Sequence, residues 1–439
     1  MIRSAVLHVR DPLYLNAYAL MASNLLSSAL GVVYWALAAR SYSVDSVGIG
    51  AATISLVVFL SGIAQLNLRT ALVRLVPEAG SRTPALVGAA YLASSGMSVV
   101  AAVVTFVGAS IVGIEPFAGL ARDVSVAVPS VVLLAGAIAA WSVFNIQDGL
   151  LAGLRRTLWV PVENVLYGVA KTVLLVVLAA GLPVLGIAVS WFVPVVAAVA
   201  VVTVVVAIRW IPQHVRAAPH GPPSEARLVD ERGRLLRYVA SDYAAALFAL
   251  ATSSLLPVLV AATRGPAEGA FFYLAWIIAV SLDLLPANTA ASLTVETASG
   301  QAELATETRR ALMHMARSAV PFALVVAILA PLLLQVFGAA YAERSTDLLR
   351  LLALGVIPYV AISTALAVAR VRGRSRELLA IQASLAVLTL GGSALLVGPL
   401  GLAGVGVAVL VARLLVAGVL VVARIRPLLS AHGGLSQAA

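Results

Sequence analysis

The chain has 439 residues, 62% of them hydrophobic and only 11% charged, with a formal net charge of +10 and a mean hydropathy of +1.03. No soluble domain of this length can hide that much apolar surface, so the composition describes an all-α polytopic membrane protein. With no cysteine, disulfides, thiolate metal sites and thiol nucleophiles are excluded, and the positive charge fits loops facing anionic membrane lipids better than nucleic acid.

The N-terminal stretch MIRSAVLHVRDPLYLNAYAL runs into a long apolar segment without a small-residue cleavage site, so no removable signal peptide is expected. A bilayer core takes about 20 apolar residues per helix. On that template, spans are expected at 13–39, 47–68, 85–112, 124–148, 157–181 and 184–208. Six more follow at 238–262, 269–291, 318–340, 346–369, 377–398 and 401–425. The basic residues test this count through the positive-inside rule. With the N-terminus inside, Arg3 and Arg10 lie in the cytoplasm, and only Arg40, Arg122, Arg264 and Arg344 fall outside. Three lie within spans, Lys171, Arg350 and Arg413, and the other twenty-two of the twenty-nine are inside. Twelve spans with both termini cytoplasmic follow, since one helix more or fewer would scramble the pattern.

One long polar segment, 211–239, interrupts the series. Its proline-rich start reads as a linker and its second part as a short surface helix leading into span seven. The expected organisation is therefore an N-terminal six-helix bundle (1–210), a linker (211–237) and a C-terminal six-helix bundle with a short tail (238–439). Six is even, so both bundles enter the membrane from one side, as parallel repeats require. Faint duplication agrees: LAARSYSVDSVG (37–48) matches LVAATRGPAEGAFF (259–272), pairing Asp45 with Glu268, and LVRLVPEAG (72–80) matches SLTVETASG (292–300). Pro161, Pro194, Pro257, Pro286, Pro321 and Pro358 interrupt spans and allow bending.

NLLSSALGVVYWALAARSYSVDSVG followed by AQLNLRTALVRLVPEAG resembles the start of bacterial oligosaccharide-lipid flippases of the multidrug/oligosaccharidyl-lipid/polysaccharide exporter superfamily. SSLLPVLVAATRGPAEGAFFYLAW, APLLLQVFGAAYAERSTDLLRLLALGVIPY and ARVRGRSRE carry the likeness through the second half, most characteristically at Phe337, Gly338 and Tyr341. Twelve spans resemble the polysaccharide branch more than the fourteen-span branch that handles the peptidoglycan precursor. The resemblance implies two bundles around a cavity opening alternately to each side, and a polyprenyl-diphosphate-linked oligosaccharide as cargo. It also implies basic cavity residues that meet the diphosphate. Arginines high in spans one and two of the peptidoglycan branch have no match here, where span one carries Asn16 and Asn24.

A cation within an apolar span is costly and marks a candidate site. Arg413 sits midway along GLAGVGVAVLVARLLVAGVLVV, so it must face a wet cavity or a carboxylate. Either it pairs with Glu163 or Asp283, or its guanidinium fork meets the diphosphate. Lys171 lies eight residues from Glu163, on one helical face, and either lines the cavity or pairs with a neighbouring helix. Arg350, three residues after Asp347, suits a local ion pair as well as a diphosphate contact. Arg69 and Arg74 at the mouth of span two serve either as membrane anchors or as capture residues. Asp242 and Asp283 offer ion coupling or internal pairing, as Glu163 does.

The expected function is flipping of a lipid-linked oligosaccharide from the cytoplasmic to the outer leaflet of a bacterial plasma membrane, driven by an ion gradient. Polysaccharide polymerase and glycosyltransferases are its expected partners. A drug or metabolite exporter on the same fold is the alternative, with acidic residues facing a cationic cargo. A membrane-embedded glycan-modifying enzyme is disfavoured by short outer loops and scattered histidines. Without a GxxxxGKS loop, no intrinsic ATP hydrolysis is expected, and no cofactor or metal is called for.

Overall fold

The computed structural model describes residues 28–113, 123–217, 225–296 and 301–430. Arg3, Arg10, Asn16, Asn24 and Arg122 lie outside the described residues, as do the side chains of the 292–300 match. Among the described residues every regular element is a helix. Among the described residues nine stretches are long and apolar enough to cross a membrane, or ten if a bent pair counts as one. Contacts group the chain into two compact units, Met1–Ser46 with Leu56–Leu228 and Val47–Ser55 with Val229–Ala439.

In the first unit, α1 (28–41) leads to α2 (Val44–Ala64), whose residues Val47–Ser55 group with the second unit. Ser43 caps α2 by accepting the Ser46 amide at 3.2 Å, and Asp45 sits in its first turn, where the helix dipole favours negative charge. The expected second span ran to 68. The helix stops sooner because Leu66 and Asn67 take left-handed φ values of 50° and 56°. Next come α3 (Leu68–Ala79), α4 (Thr83–Val112) and α5 (Val124–Gly153). A Cβ on Gly149 would lie 2.2 Å from the Arg69 carbonyl oxygen, so only glycine lets α3 approach α5 so closely. Leu72, Val76, Ile146, Leu150 and Trp210 are buried around that crossing. The unit's last two spans are α6 (Trp159–Leu178) and α7 (Gly186–Val205), with α7 continuing through a π-turn (Val206–Trp210) into a short helix, Ile211–Ala217.

The second unit opens with α8 (Glu225–Arg264). The expected short surface helix and span seven are thus one 40-residue element. No proline or capping residue separates them, and Gly233 alone costs a helix only about 1 kcal/mol. Then follow α9 (Pro266–Glu296), α10 (Gln301–Gln335), and the bent pair α11 (Ala339–Leu354) and α12 (Val356–Val371), which meet at 40°. Gly338 turns the chain at φ 136°, and Tyr341 just beyond is buried against the ring of Phe271 at 5.2 Å.

The last helix, α13 (Ser375–Leu420), contains both expected spans eleven and twelve. It doubles back at Gly401, whose φ 59° and ψ −143° are not helical. The two arms then touch: a Cβ on Gly404 would lie 2.2 Å from the Leu396 carbonyl oxygen, and one on Gly392 3.3 Å from Ala408 Cβ.

The two units repeat one plan. LGIA (185–188) begins α7 and LGLA (400–403) begins the second arm of α13. At the same spacing beyond them come VAIRW-IP (206–212) and VVARI-RP (421–427), each with a five-residue π-turn and an arginine at its fourth position, Arg209 and Arg424. The turns that precede α6 and α13 match as well. Arg155 (φ 59°) and Gly373 (φ 63°) are both left-handed, and the next amide returns to a carbonyl five residues back, Arg156 to Leu151 and Arg374 to Ala369.

Candidate functional site

The three cations expected within spans have three different surroundings. Arg413 reaches from α13 to Asp283 on α9 in a two-pronged ion pair, Nη1 to Oδ1 at 2.9 Å and Nη2 to Oδ2 at 2.5 Å. Its guanidinium also stands 4.7 Å from the centre of the Tyr359 ring on α12. Of the two carboxylates open to it, Asp283 is the partner, and the two-pronged fork is the strong geometry for such a pair. Arg350 is exposed; its Nη1 lies 3.3 Å from Asp347 Oδ1, and its Nε donates to the Ala327 carbonyl at 3.4 Å. That is the expected local pair, of a kind that contributes at most about 1 kcal/mol.

Lys171 is different. It is buried in α6, 7% exposed, and makes no hydrogen bond or ion pair among the described residues. Its ammonium sits among aromatic faces instead, with ring centres at 3.7 Å (Trp191), 4.9 Å (Tyr34) and 5.0 Å (Tyr167). Tyr34 is fixed in place by donating to the Ile187 carbonyl at 3.0 Å and by a 2.9 Å contact with Ser190 Oγ. Trp141 and Phe144 from α5 stand tilted against Tyr167, with ring centres at 6.0 and 5.3 Å. Each ring face attracts the cation by about 0.5–2 kcal/mol, enough to hold it in place while leaving its N–H donors uncommitted to any anion.

Glu163, two turns before Lys171 on α6, is 8% exposed, and neither of its carboxylate oxygens has a hydrogen-bond partner. Asp148 is carried by α5. Arg69 is occupied by that same Asp148, Nη2 to Oδ2 at 3.3 Å, while Arg74 is exposed on α3. Nearby, Gln147 donates to the Val199 carbonyl at 3.1 Å and to Thr203 Oγ1 at 3.0 Å. Asp242 is half-buried and makes no ion pair among the described residues.

The structure therefore brings Lys171 and Glu163 to one face of the first unit, and Arg413 with Asp283 to the second. It leaves Arg74 and Arg350 at the surface. The aromatic cage is what reading the sequence misses. A partial signal exists: Trp141 and Trp191 fall well inside expected spans, away from the interfacial belts where tryptophan usually gathers.

A sequence profile described as polysaccharide biosynthesis protein matches residues 13–227. No curated protein matches the chain significantly in sequence. Among solved structures, an inward-facing multidrug resistance MATE family transporter of the MOP superfamily aligns with a TM-score of 0.65 at 18% identity, over 92% of this chain and 95% of that one. The lipid II flippase MurJ, in an inward closed conformation, aligns with a TM-score of 0.66 at 11% identity, over 92% of this chain and 86% of that one. A MOP superfamily transporter from Pyrococcus furiosus, described as having a binding pocket of reversed polarity, aligns at 0.53 and 15%, over 97% and 96%. At these identities the likeness is one of fold.

Proposed function

We propose that this chain belongs to the multidrug/oligosaccharidyl-lipid/polysaccharide exporter superfamily and flips a polyprenyl-diphosphate-linked oligosaccharide from the cytoplasmic to the outer leaflet of a bacterial plasma membrane. The observation that carries this reading is Lys171, a buried ammonium with no acidic partner among the described residues, caged by rings in the half of the chain that the polysaccharide profile matches. An ammonium with free donors meets a phosphate oxygen well, and aromatic faces beside it suit the apolar faces of sugar rings.

In this scheme both termini are cytoplasmic, and the bundles alternate access. Arg69 and Arg74 attract the diphosphate, Lys171 receives it, and Arg413 holds the second unit together through Asp283. Arg350 stays in its local pair with Asp347 at the outer surface. Glu163 exchanges a proton as the gradient-coupled group, since a carboxyl without partners gains most from changing its charge during the cycle. Asp242 is the other candidate for coupling. Polymerase and glycosyltransferases consume and supply the cargo.

The test is headgroup translocation by purified protein in vesicles loaded with lipid-linked oligosaccharide. Lys171→Ala is expected to abolish flipping. If Lys171→Ala and Arg413→Ala both flip the anionic lipid at the wild-type rate, the reading fails. The unpartnered Glu163 also favours a second reading, export of a cationic small molecule. Efflux of a quaternary ammonium dye that is lost in Glu163→Gln and intact in Lys171→Ala would establish that reading instead.

A further inference from the structure

A groove of about 560 Å³ runs between α6 and α7 in the first unit. Val162, Leu166 and Ala170 on α6 face Ala197, Val201 and Val205 on α7 along it. These positions recur every three or four residues, so each helix contributes one continuous stripe. From Trp159 to Ala170 the α6 stripe rises roughly 16 Å, about half of a 30 Å hydrocarbon core. Leu166 (65% exposed) and Val201 (63%) form its open rim, so the groove can be filled sideways from the membrane. One end is polar: Arg156, Arg209 and Gln213 line it, beside the paired rings of Trp159 and Trp210, 5.4 Å apart.

The repeat in the second unit explains what that polar end lacks. There Arg374 and Arg424, which match Arg156 and Arg209 through the shared turn and the shared π-turn, both reach one carboxylate. Glu377 accepts from Arg424 at 2.6 Å and from Arg374 at 3.4 Å. Counted from the left-handed turn, the position of Glu377 is occupied in the first unit by Trp159. Arg156 donates to Gln213 at 3.0 Å, but neither it nor Arg209 has an acidic partner among the described residues. The clamp is duplicated and its internal anion is not. Within the groove, the buried and unpartnered Glu163 adds a polar group that an ordinary lipid-facing crevice does not carry.

We propose that this groove seats the isoprenoid chain of a polyprenyl diphosphate, with Arg156 and Arg209 clamping the headgroup in place of the missing carboxylate. Two guanidinium forks and an amide suit a diphosphate better than the single charge of a phosphodiester. The groove shares Tyr167 with the cage of Lys171, so a lipid held here stands one ring away from the proposed translocation residue. The assignment rests on the flippase reading for the identity of the lipid, and it places the lipid's loading position on the first unit.

The experiment uses the full-length protein in nanodiscs and two photoactivatable probes, a sugar-free polyprenyl diphosphate and phosphatidylglycerol. The diphosphate probe is expected to label the α6 and α7 stripes, with labelling reduced roughly tenfold or more in Arg156→Gln/Arg209→Gln. Trp159→Glu is the second variant. It restores the acid that the other unit carries between its arginines, so it is expected to fold and to exclude the probe by occupying the clamp. Undiminished labelling in these variants, or equal labelling by phosphatidylglycerol, would overturn the proposal and leave an ordinary annular lipid crevice. If the groove is labelled but no lipid-linked sugar is flipped, the flippase reading falls and the clamp stands. If Lys171-dependent flipping continues while the groove stays unlabelled, the clamp falls and the flippase reading stands.

Discussion

In the second unit Arg413 lies on Asp283, and Arg374 and Arg424 share Glu377. In the first unit, built on the same turns and the same π-turn, Arg69 meets Asp148. Its Lys171, Arg156 and Arg209 have no acidic partner among the described residues, and its Glu163 has no basic one. A frame with its charges paired is stable and inert toward an external ion. A frame whose charges are held by rings or left in an apolar groove keeps them available for a ligand. The comparison also bears on size: at the matching place in the sixth and twelfth spans, Ala198 lines the open groove where Arg413 fills space and binds Asp283.

Stability separates the two units most clearly. Arg413→Ala strands Asp283 in the interior and is expected to cost about 3–5 kcal/mol, seen as a large drop in melting temperature in detergent. Replacing Arg413 and Asp283 together with methionine should recover most of that loss. Lys171→Met, which removes only cation–ring attraction, is expected to cost no more than about 2 kcal/mol. A next test concerns the frame itself. Gly149→Ala would drive a Cβ into the Arg69 carbonyl and is expected to destabilise the first unit by about 1–3 kcal/mol, read as protease sensitivity of α3 and α5.

A smaller and opposite effect is expected at Glu163. Glu163→Gln removes a carboxylate that makes no hydrogen bond, so the melting temperature should hold or rise slightly, while flipping should lose its dependence on a pH gradient. The smallest effect lies outside the membrane. Asp123 caps α5 by accepting from the Ser125 hydroxyl at 2.7 Å and the Ser125 amide at 2.8 Å, and these bonds hold its carboxyl below the usual carboxylate range. A depressed value means that the cap contributes fully above the ordinary carboxylate pKa and is lost as pH falls through the lowered one. Amide exchange in the first turn of α5 should therefore quicken only in strongly acidic buffer, and the Asp123→Ala variant should show no such pH dependence.

Much of the architecture was legible because membrane spans announce themselves by composition and length. Each expected span with described residues falls on a helix, and even the fused α13 hides two spans that the LGLA break separates. Arg350 with Asp347 was readable at three residues' spacing, since one helical turn brings the two together. Arg413 with Asp283 was readable only as one of two options, because nothing local chooses between acids more than a hundred residues away. The cage around Lys171 was not legible: Tyr34, Tyr167 and Trp191 come from three helices, and ring contacts between helices leave no periodic trace. The duplication was glimpsed at 37–48 and 259–272 and missed at its clearest point, the ends of the sixth and twelfth spans. There the shared feature is a π-turn, and before the fifth and eleventh spans it is a left-handed residue, a conformation that Arg155 and Gly373 adopt with very different side chains.

The central claim is that the unpaired cation of the first unit, and not the paired one of the second, handles the anionic cargo. Its most direct test is the initial rate of lipid-linked oligosaccharide flipping in vesicles, comparing Lys171→Met with the double replacement of Arg413 and Asp283 by methionine. Flipping is expected to fall by roughly a hundredfold or more in Lys171→Met and to stay within a few-fold of wild type in the double variant. Wild-type flipping by Lys171→Met together with loss in the double variant would contradict the account.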